Sequence, residues 1–299
     1  MTEYDVRPLA ERVAIVTGAG AGLGRAHALF LAGQGAKVVV NDLPGSQGEG
    51  AAADVARAIQ ESGGEAMVAP GSVTDETAVQ DMVDRAVAQW GRIDILVNNA
   101  GILRDRSFTK MTMEEFRQVV EVHLMGSALC TKAVWDIMRE QTYGRVVMTT
   151  SSSGLYGNFG QANYAAAKMA VVGLMQTLAI EGEKYNIKVN CLAPAASTAM
   201  MAGVMPPDIL EQLDPALVSP ALLPIVSENA PTRVILCAGG GHFAAANITL
   251  TEGTRLNRAL AASGAVIARW DDVVDRRGEV VPAQGWEQLE RAIAANPSA

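Results

Sequence analysis

Residues 13–24 read VAIVTGAGAGLG, a short apolar run that passes directly into a turn with glycine at positions 18, 20, 22 and 24. The apolar run predicts a buried strand, and apolar residues recur at helical spacing from Leu23 onward. Gly18, Gly22 and Gly24 permit a tight turn, close approach of the backbone to a pyrophosphate and close helix packing. The amides at the helix start, near Leu23, would face the anion. The stretch therefore predicts a strand–turn–helix unit with a dinucleotide site.

Short β-branched runs alternate with longer amphipathic stretches on both sides of this unit, the pattern of successive βαβ units. We expect an α/β fold of Rossmann type: a doubly wound parallel sheet of about seven strands with helices on both faces, plus a C-terminal extension. Residues 1–255 would form the main domain and residues 256–299 the extension. Strands are predicted at Val13–Thr17, Ala36–Asn41, Glu65–Ala69, Ile93–Val97, Gly144–Thr149, Ile187–Leu192 and Arg233–Cys237. Helices are predicted at Leu23–Gln34, Ala51–Ser62, Glu76–Gln89, Met113–Arg139 and Ala162–Tyr185.

Composition excludes several classes of protein. The formal net charge of −8, from 24 basic and 32 acidic residues, disfavours a nucleic-acid-binding surface. The sequence has no uninterrupted apolar run long enough to span a membrane. The first eleven residues do not resemble a targeting peptide, so we expect a cytoplasmic protein. The three cysteines and three histidines are widely spaced, which gives no pattern of metal ligands.

Asp42 follows the second predicted strand, 18 residues after Gly24. A carboxylate at this position can accept the ribose hydroxyls of a dinucleotide and repel a 2′-phosphate. No Arg or Lys occurs between Asp42 and Arg57 to bind such a phosphate. The sequence therefore favours NAD over NADP as the cofactor.

Tyr164 and Lys168 are four residues apart, so both project from one face of a predicted helix. A free tyrosine has a pKa near 10, and a nearby ammonium stabilises the phenolate and lowers that pKa. Ser151, at the end of a predicted strand, can hydrogen-bond a reacting oxygen. We therefore expect Tyr164 to act as the acid/base, with Lys168 tuning it.

These motifs together resemble the short-chain dehydrogenase/reductase family over about residues 12–240. The resemblance rests on the glycine turn, on NNAG at 98–101, on Ser151, Tyr164 and Lys168, and on Asn190 and Pro194 after the sixth strand. It implies that these further residues line the cofactor: Ser72, Val73, Asn99, Ala100, Gly101, Tyr164, Lys168, Pro194, Ala196, Ser197 and Thr198.

His123 stands where the broad family has an Asn that helps to hold a relay water. Two interpretations are open at this position. A proton relay could run through the backbone carbonyl or the ring of His123, or the residue could be a packed helix histidine.

NNAGILRDRSF at 98–108 and YGNFGQANYAAAK at 156–168 are similar to the (3R)-hydroxyacyl-CoA dehydrogenase portion of peroxisomal multifunctional enzyme type 2. This similarity implies NAD-dependent oxidation of a 3-hydroxyacyl-CoA, with a fatty or steroid side-chain thioester as the small-molecule substrate. It also implies a homodimer or homotetramer, and a substrate lid at residues 199–230. Methionines in that lid, such as Met200 and Met205, suit either an irregular apolar ligand or ordinary core packing.

Alternative functions remain at this stage. A hydroxysteroid dehydrogenase or a 3-ketoacyl reductase of the same family would use the same residues. A sugar-nucleotide epimerase shares the Tyr and Lys but has a differently spaced glycine turn. A non-catalytic NAD-binding regulator would be expected to lack Ser151, Tyr164 or Lys168, and all three are present.

Overall fold

Eight strands form one sheet in the computed structural model, which describes residues 7–45, 50–196, 212–256 and 264–293. The spatial order is β3-β2-β1-β4-β5-β6-β7-β8. Strands β1 to β7 pair in parallel. The strands are β1 Val13–Val16, β2 Lys37–Asp42, β3 Ala66–Pro70, β4 Ile95–Asn98, β5 Gly144–Thr149, β6 Ile187–Pro194, β7 Ile235–Gly239 and β8 His242–Ala246.

Helices connect the parallel strands. Along the chain from β1 to β7 the helices are α1 Gly22–Gly33, α2 Gly50–Glu61, α3 Glu76–Trp90, α4 Met113–Val120, α5 Gly126–Gln141, α6 Ser152–Tyr156, α7 Ala162–Gly182 and α8 Leu222–Val226. A π-helical turn, Glu121–Met125, joins α4 to α5, and a 3-10 turn, Glu183–Tyr185, follows α7.

Both faces of the sheet are covered, which explains the almost continuous apolar strands. Alternate strand residues such as Ala14 and Val16 join one buried cluster with α1, α2 and α8. The intervening residues, such as Ile15, are equally buried, because successive strand side chains point to opposite faces. α3, α5 and α7 supply the apolar side chains of the second core. The predicted doubly wound α/β fold is confirmed.

The strand order reverses between β1 and β4, both of which pair directly with each other. At such a point the crossover helices leave in opposite directions, so a crevice opens at the carboxyl ends of the strands. The glycine turn follows β1 and the NNAG segment overlaps the end of β4. The fold therefore brings these two motifs to the same crevice.

The structure differs from the sequence-based expectation at β8 and within the helix expected over Met113–Arg139, and it adds the short helices α6 and α8. β8 follows β7 after only Gly240 and Gly241, which allows antiparallel pairing but no crossover. Its residues are mostly exposed, so its sequence has no buried apolar run to reveal it. The single helix expected over Met113–Arg139 is interrupted by the π-helical turn that contains His123.

Part of the predicted lid belongs to the core. Residues 197–211, which include Met200 and Met205, lie outside the described residues. Pro215–Leu217 and Ser219–Ala221 form short 3-10 turns before α8. Val218 and Leu222 are fully buried in the cluster that includes α1. This segment packs like ordinary core, and a lid role for residues 199–230 stays a prediction.

The chain divides into two units, Met1–Ala245 and Ala246–Ala299. The second contains α9 Ala265–Ala268, α10 Trp270–Val274 and α11 Trp286–Ile293. None of these three helices has a buried residue. No helix among the described residues is long and apolar enough to cross a membrane.

A fully buried arginine fastens the amino edge of the sheet, away from the crevice. The Arg145 guanidinium donates to the backbone carbonyls of Gly144, Asn186, Ser227 and Glu228, at 2.7–2.9 Å. Its carbon atom Cζ also lies 4.0 Å from the centroid of the Tyr143 ring. One side chain therefore satisfies four carbonyls on three segments of the chain.

Replacing Arg145 by Met should lower the free energy of unfolding by about 3 kcal/mol, because four carbonyls lose a donor and a buried one without a partner is costly. Urea denaturation followed by circular dichroism measures this change. The control is Arg139→Met, which removes an exposed ion pair with Asp136 and should cost less than about 1 kcal/mol. Equal stability of the two variants would show that the Arg145 hydrogen bonds do not fasten the edge.

Candidate active site

The glycine turn leaves the start of α1 open to an anion. Ala21 is the N-cap of α1 and makes no side-chain hydrogen bond to the first-turn amides. Ala21 and Gly22 are exposed, and the first turn has no acidic residue. An uncapped helix N-terminus presents free N–H donors and the positive end of the helix dipole. These features fit a pyrophosphate.

Two of the glycines are required by close backbone approach. Gly18 has φ +63°, and a Cβ there would lie 2.8 Å from Cα of Ala100. A Cβ on Gly24 would lie 2.6 Å from Nδ2 of Asn99 and 2.7 Å from the carbonyl carbon of Gly18. Any side chain at position 24 would therefore push the turn away from the end of β4.

Thr17 and Asn99 tie the turn to the end of β4. The Thr17 hydroxyl accepts the backbone amides of Asn99 and Ala100, at 3.0 and 3.1 Å. The Asn99 side-chain amide donates to the carbonyls of Thr17 and Gly18, at 2.9 and 3.1 Å. The resemblance assigned Asn99 to the cofactor, and the structure shows that it also holds the shape of the turn.

Asp42 lies at the carboxyl end of β2, beside the glycine turn. Its Oδ2 accepts the amide of Gly20 at 2.7 Å, and its Oδ1 accepts the amide of Leu43 at 2.7 Å. Each carboxylate oxygen has further acceptor capacity, so the group can still bind hydroxyls. The two amides fix a negative charge at the rim of the crevice.

The other residues expected at the cofactor lie mainly at neighbouring strand ends. Ser72 follows β3 and its hydroxyl hydrogen-bonds that of Thr74 at 2.8 Å, while Val73 is buried. Pro194 ends β6 and Ala196 is buried just beyond it. Ser197 and Thr198 lie outside the described residues.

Ser151, Tyr164 and Lys168 come together at the carboxyl end of β5. Ser151 is the N-cap of α6, where its Oγ accepts the amide of Ser153 at 3.1 Å. It also lies close enough to the Tyr164 phenol to lower the pKa of that group. Lys168 Nζ lies 5.6 Å from the centroid of the Tyr164 ring and donates to the backbone carbonyl of Thr149 at 2.6 Å. The spacing of four on α7 thus places phenol and amine side by side.

The pKa values of this group differ from the expectation. Burial raises the pKa of Tyr164, the hydrogen bond with Ser151 opposes the rise, and the charge of Asp105 adds to it. Burial lowers the pKa of Lys168 to about 7. The expected lowering of the Tyr164 pKa by Lys168 is not found, and burial disfavours the charged forms of both groups.

His123 is a buried residue in contact with Tyr164. The ring centroids are 5.2 Å apart, edge to face. Nε2 lies within hydrogen-bond distance of the backbone amide and carbonyl of Ile102, at 3.1 and 2.8 Å. Nδ1 is buried and has no partner among the described residues. Burial, with a smaller effect of Lys168, lowers the pKa of His123 to about 3, so the ring is neutral near pH 7.

The backbone carbonyl of His123 accepts the hydroxyl of Ser127 at 2.6 Å. The π-helical turn lies at this point, where the i→i−4 helical hydrogen bonding is interrupted. A carbonyl oxygen has two lone pairs, so a second donor can still bind there. The ring of His123 thus keeps one hydrogen-bonding position, Nδ1, without a partner among the described residues, and its backbone carbonyl already accepts the Ser127 hydroxyl.

Sequence reasoning missed a polar group next to Tyr164. Ser153 Oγ donates to Oε1 of Gln161 at 2.7 Å, and Nε2 of Gln161 donates to Oδ2 of Asp105 at 2.6 Å. Asp105 lies within the stretch NNAGILRDRSF, but a loop carboxylate 59 positions before Tyr164 has no spacing that would predict their proximity. Only the fold brings the two residues together.

Asn163 anchors the start of α7. Its Nδ2 donates to the carbonyl of Arg104 at 3.0 Å, and its side chain is fully buried.

Within the described ranges, no cluster of three or more His, Cys, Asp or Glu side chains could hold a metal ion.

Comparison with known proteins agrees with this geometry. Residues 12–208 match the short chain dehydrogenase family. A short-chain type dehydrogenase/reductase of Mycobacterium tuberculosis is 43% identical over 274 residues, which cover 90% of this chain and 96% of that protein. The Drosophila melanogaster peroxisomal multifunctional enzyme type 2 is 49% identical over 223 residues, 73% of this chain and 37% of that enzyme.

Two solved structures show the same fold. Full-length peroxisomal multifunctional enzyme type 2 from Drosophila melanogaster superposes with a TM-score of 0.80 at 36% identity, over 95% of this chain and 49% of that one. A 7α-hydroxysteroid dehydrogenase complexed with NADH and a 7-oxo bile acid gives 0.72 at 31% identity, over 81% of this chain and 98% of that one. This chain belongs to the short-chain dehydrogenase/reductase family of oxidoreductases.

Proposed function

We propose that this protein oxidises the secondary alcohol of a 3-hydroxyacyl-CoA to the 3-ketoacyl-CoA, with NAD as the hydride acceptor. The observation that carries the proposal is the cluster of Ser151, Tyr164 and Lys168 at the carboxyl edge of the sheet. The cluster lies on the same edge as the glycine turn and Asp42. A proton-transfer group and a dinucleotide site thus share one end of the fold.

The cofactor would be held by groups already shaped for it. The open start of α1, from Gly22 to Gly24, would bind the pyrophosphate through backbone amides. Gly18 would allow close approach of the backbone, and Asp42 would accept the adenosine ribose hydroxyls. Ala100 and Gly101 would line the ribose side, with Ser72 and Val73 at the adenine. Pro194, Ala196, Ser197 and Thr198 would border the nicotinamide.

When bound, the nicotinamide supplies or accepts the hydride. Tyr164, as the phenolate, would remove the hydroxyl proton of the substrate during oxidation, and the phenol would return a proton during reduction. Ser151 would hydrogen-bond the same oxygen throughout. Lys168 would hold ribose hydroxyls, for which its position beside the Tyr164 ring and its donors are suitable.

We propose His123 as a packing and relay residue. Its edge-on contact limits the rotation of the Tyr164 ring. A relay water bound at its backbone carbonyl would share that oxygen with the Ser127 hydroxyl.

A CoA thioester is favoured by the relatives that carry this domain. The chain spans 30% of a Saccharomyces cerevisiae peroxisomal hydratase-dehydrogenase-epimerase, at 44% identity over 275 residues. A Synechocystis 3-oxoacyl-[acyl-carrier-protein] reductase is 43% identical over 186 residues. Reduction of a 3-ketoacyl thioester and oxidation of a hydroxysteroid are therefore the alternative reactions.

We also propose a homodimer or homotetramer in the cytoplasm, without nucleic-acid or membrane partners.

Tyr164→Phe should lower kcat for oxidation of 3-hydroxybutyryl-CoA or a longer 3-hydroxyacyl-CoA by about 10²- to 10⁴-fold, the usual contribution of a general base. NADH formation followed by absorbance measures the rate, and calorimetry measures NAD binding, which should persist. Tyr156→Phe is the matched control, because Tyr156 is exposed on α6. If Tyr164→Phe retained the wild-type rate, the residue would not be the base. If the wild type oxidised none of these thioesters but accepted hydroxysteroids, the alternative substrate class would stand.

Oxidation should become faster from neutral to alkaline pH, and reduction of the keto product slower. Burial raises the pKa of Tyr164, oxidation needs its phenolate, and reduction needs its phenol. Lys168, with a pKa of about 7, loses its charge in the same range but still donates hydrogen bonds as a neutral amine. Profiles of kcat/KM against pH in both directions test this. The opposite slopes, in protein that circular dichroism shows to be folded, would contradict the assignment.

Asp42→Asn should lower the ratio of kcat/KM with NAD to that with NADP at least about tenfold. Hydrogen bonds from the ribose hydroxyls to the charged Asp42 carboxylate would stabilise bound NAD by about 1.5–3 kcal/mol. The variant loses this charge and with it the repulsion of the 2′-phosphate of NADP. Asp54→Asn, on the exposed surface of α2, is the control and should leave the ratio unchanged. A wild-type enzyme that prefers NADP would refute the selection of NAD by Asp42.

A further inference from the structure

Three consecutive residues of the loop after β4 are hydrogen-bonded to the segment that leads into Tyr164. Asn163 Nδ2 donates to the carbonyl of Arg104 at 3.0 Å, and Gln161 Nε2 donates to Oδ2 of Asp105 at 2.6 Å. The backbone amide of Arg106 donates to the carbonyl of Gly160 at 2.8 Å. The loop 104–106 is thus fixed against residues 160–163, immediately before Tyr164 on the chain.

The side chain of Gln161 has only one orientation that satisfies its partners. Its Oε1 accepts the hydroxyl of Ser153 at 2.7 Å and Nδ2 of Asn158 at 3.2 Å. The opposite amide orientation would place an acceptor against the Asp105 carboxylate and lose two hydrogen bonds. Gln161 is the N-cap of α7 but makes no capping hydrogen bond with its side chain. Its amide therefore serves as a strut between α6 and Asp105.

The hydrogen-bond partner of the Asp105 carboxylate is a neutral amide, that of Gln161. The neighbouring arginines are engaged elsewhere. Arg106 pairs with Glu115 at 2.7 Å, and Arg104 donates to the carbonyl of Leu103. Across residues 7–45, 50–196, 212–256 and 264–293, no ion pair of Asp105 is found. A carboxylate with no ion pair in these ranges is therefore held at Gln161, one helical turn before Tyr164.

We infer that Asp105 is a positioning and tuning residue for Tyr164: held by the Gln161 strut, its negative charge stabilises the protonated phenol and sets the pH at which the phenolate forms. This inference rests on the proposed role of Tyr164 as the acid/base. Among the described residues Asp105 hydrogen-bonds Gln161 and not the phenol, so we place its effect on the reaction as one exerted through Tyr164. The direction of the shift agrees, since the charge of Asp105 raises the pKa of Tyr164.

The other groups around Tyr164 are accounted for. Lys168 faces the ring from α7 itself, and His123 faces it from the π-helical turn. The pKa of His123 is lowered to about 3, so its ring is neutral across the working range. Hydrogen bonds with Thr112 hold the pKa of Glu115 in α4 low, and the ion pair of Glu115 with Arg106 adds to this lowering. Cys191, beside Lys168, has a pKa raised to about 12 by burial and is a neutral thiol.

The test compares Asp105→Asn with the wild type in the presence of saturating NAD. Asparagine keeps an acceptor for Gln161 but removes the charge, so the pH at which oxidation reaches half its maximum should move downward. The rate at the alkaline plateau should stay within about twofold, and the shift should shrink as NaCl is raised, because an exposed charge is screened. Asp84→Asn removes one exposed charge from α3 and should not move the profile.

Gln161→Ala separates the charge from its position. It removes the hydrogen bond that holds the carboxylate but keeps the carboxylate on the chain, so the plateau rate should fall and the downward shift should be smaller than in Asp105→Asn. A direct readout is the titration of the Tyr164 phenol in protein labelled with ¹³Cζ-tyrosine, with Tyr164→Phe identifying the signal. In Asp105→Asn this titration should occur at lower pH than in the wild type.

An unchanged Tyr164 titration in Asp105→Asn, or an equal shift in Asp84→Asn, overturns the inference. These outcomes differ from failure of the proposed function, which would be an active Tyr164→Phe enzyme. The ¹³C titration reads the phenol itself and needs no turnover, so it tests the influence of Asp105 in either case.

Discussion

The close approach of the turn after β1 to the end of β4 is the constraint on which the rest of the site depends. Four hydrogen bonds join Thr17 and Gly18 to Asn99 and Ala100 across this junction, and the absence of side chains at Gly18 and Gly24 lets the segments meet. Because the strand order reverses here, the same junction opens the crevice. The start of α1 is consequently held in place with its amides facing outward, and the β5–α7 cluster lies along the same edge.

The electrostatics of the cluster follow from burial more than from pairing. Tyr164 and Lys168 are neighbours, yet each is shifted toward its neutral form. A buried phenol with a carboxylate in its neighbourhood stays protonated, and its phenolate forms only at a cost that a cation nearby would reduce. The surroundings of Tyr164, rather than its spacing from Lys168 alone, thus decide the pH range of the chemistry.

Periodicity and motif spacing predicted the sheet, the switch point and the side-by-side placement of Tyr164 and Lys168, because these are local patterns or consequences of parallel topology. The π-helical turn at His123 was not predicted, since its apolar residues keep a helical rhythm on both sides. β8 was missed because an exposed edge strand with several alanines has neither alternation nor β-branched residues. The link between Asp105 and Gln161 joins residues 56 positions apart, and no local pattern encodes such a contact.

In the proposed site a dinucleotide lies between the open start of α1 and the phenol of Tyr164. A crystal structure with NAD bound would decide whether it does. We expect the pyrophosphate at the amides of residues 22–24, the adenosine ribose at Asp42 and the nicotinamide beside Tyr164 and Lys168. A nucleotide bound elsewhere, or a nicotinamide out of reach of a substrate carbon held at the Tyr164 hydroxyl, would contradict this placement.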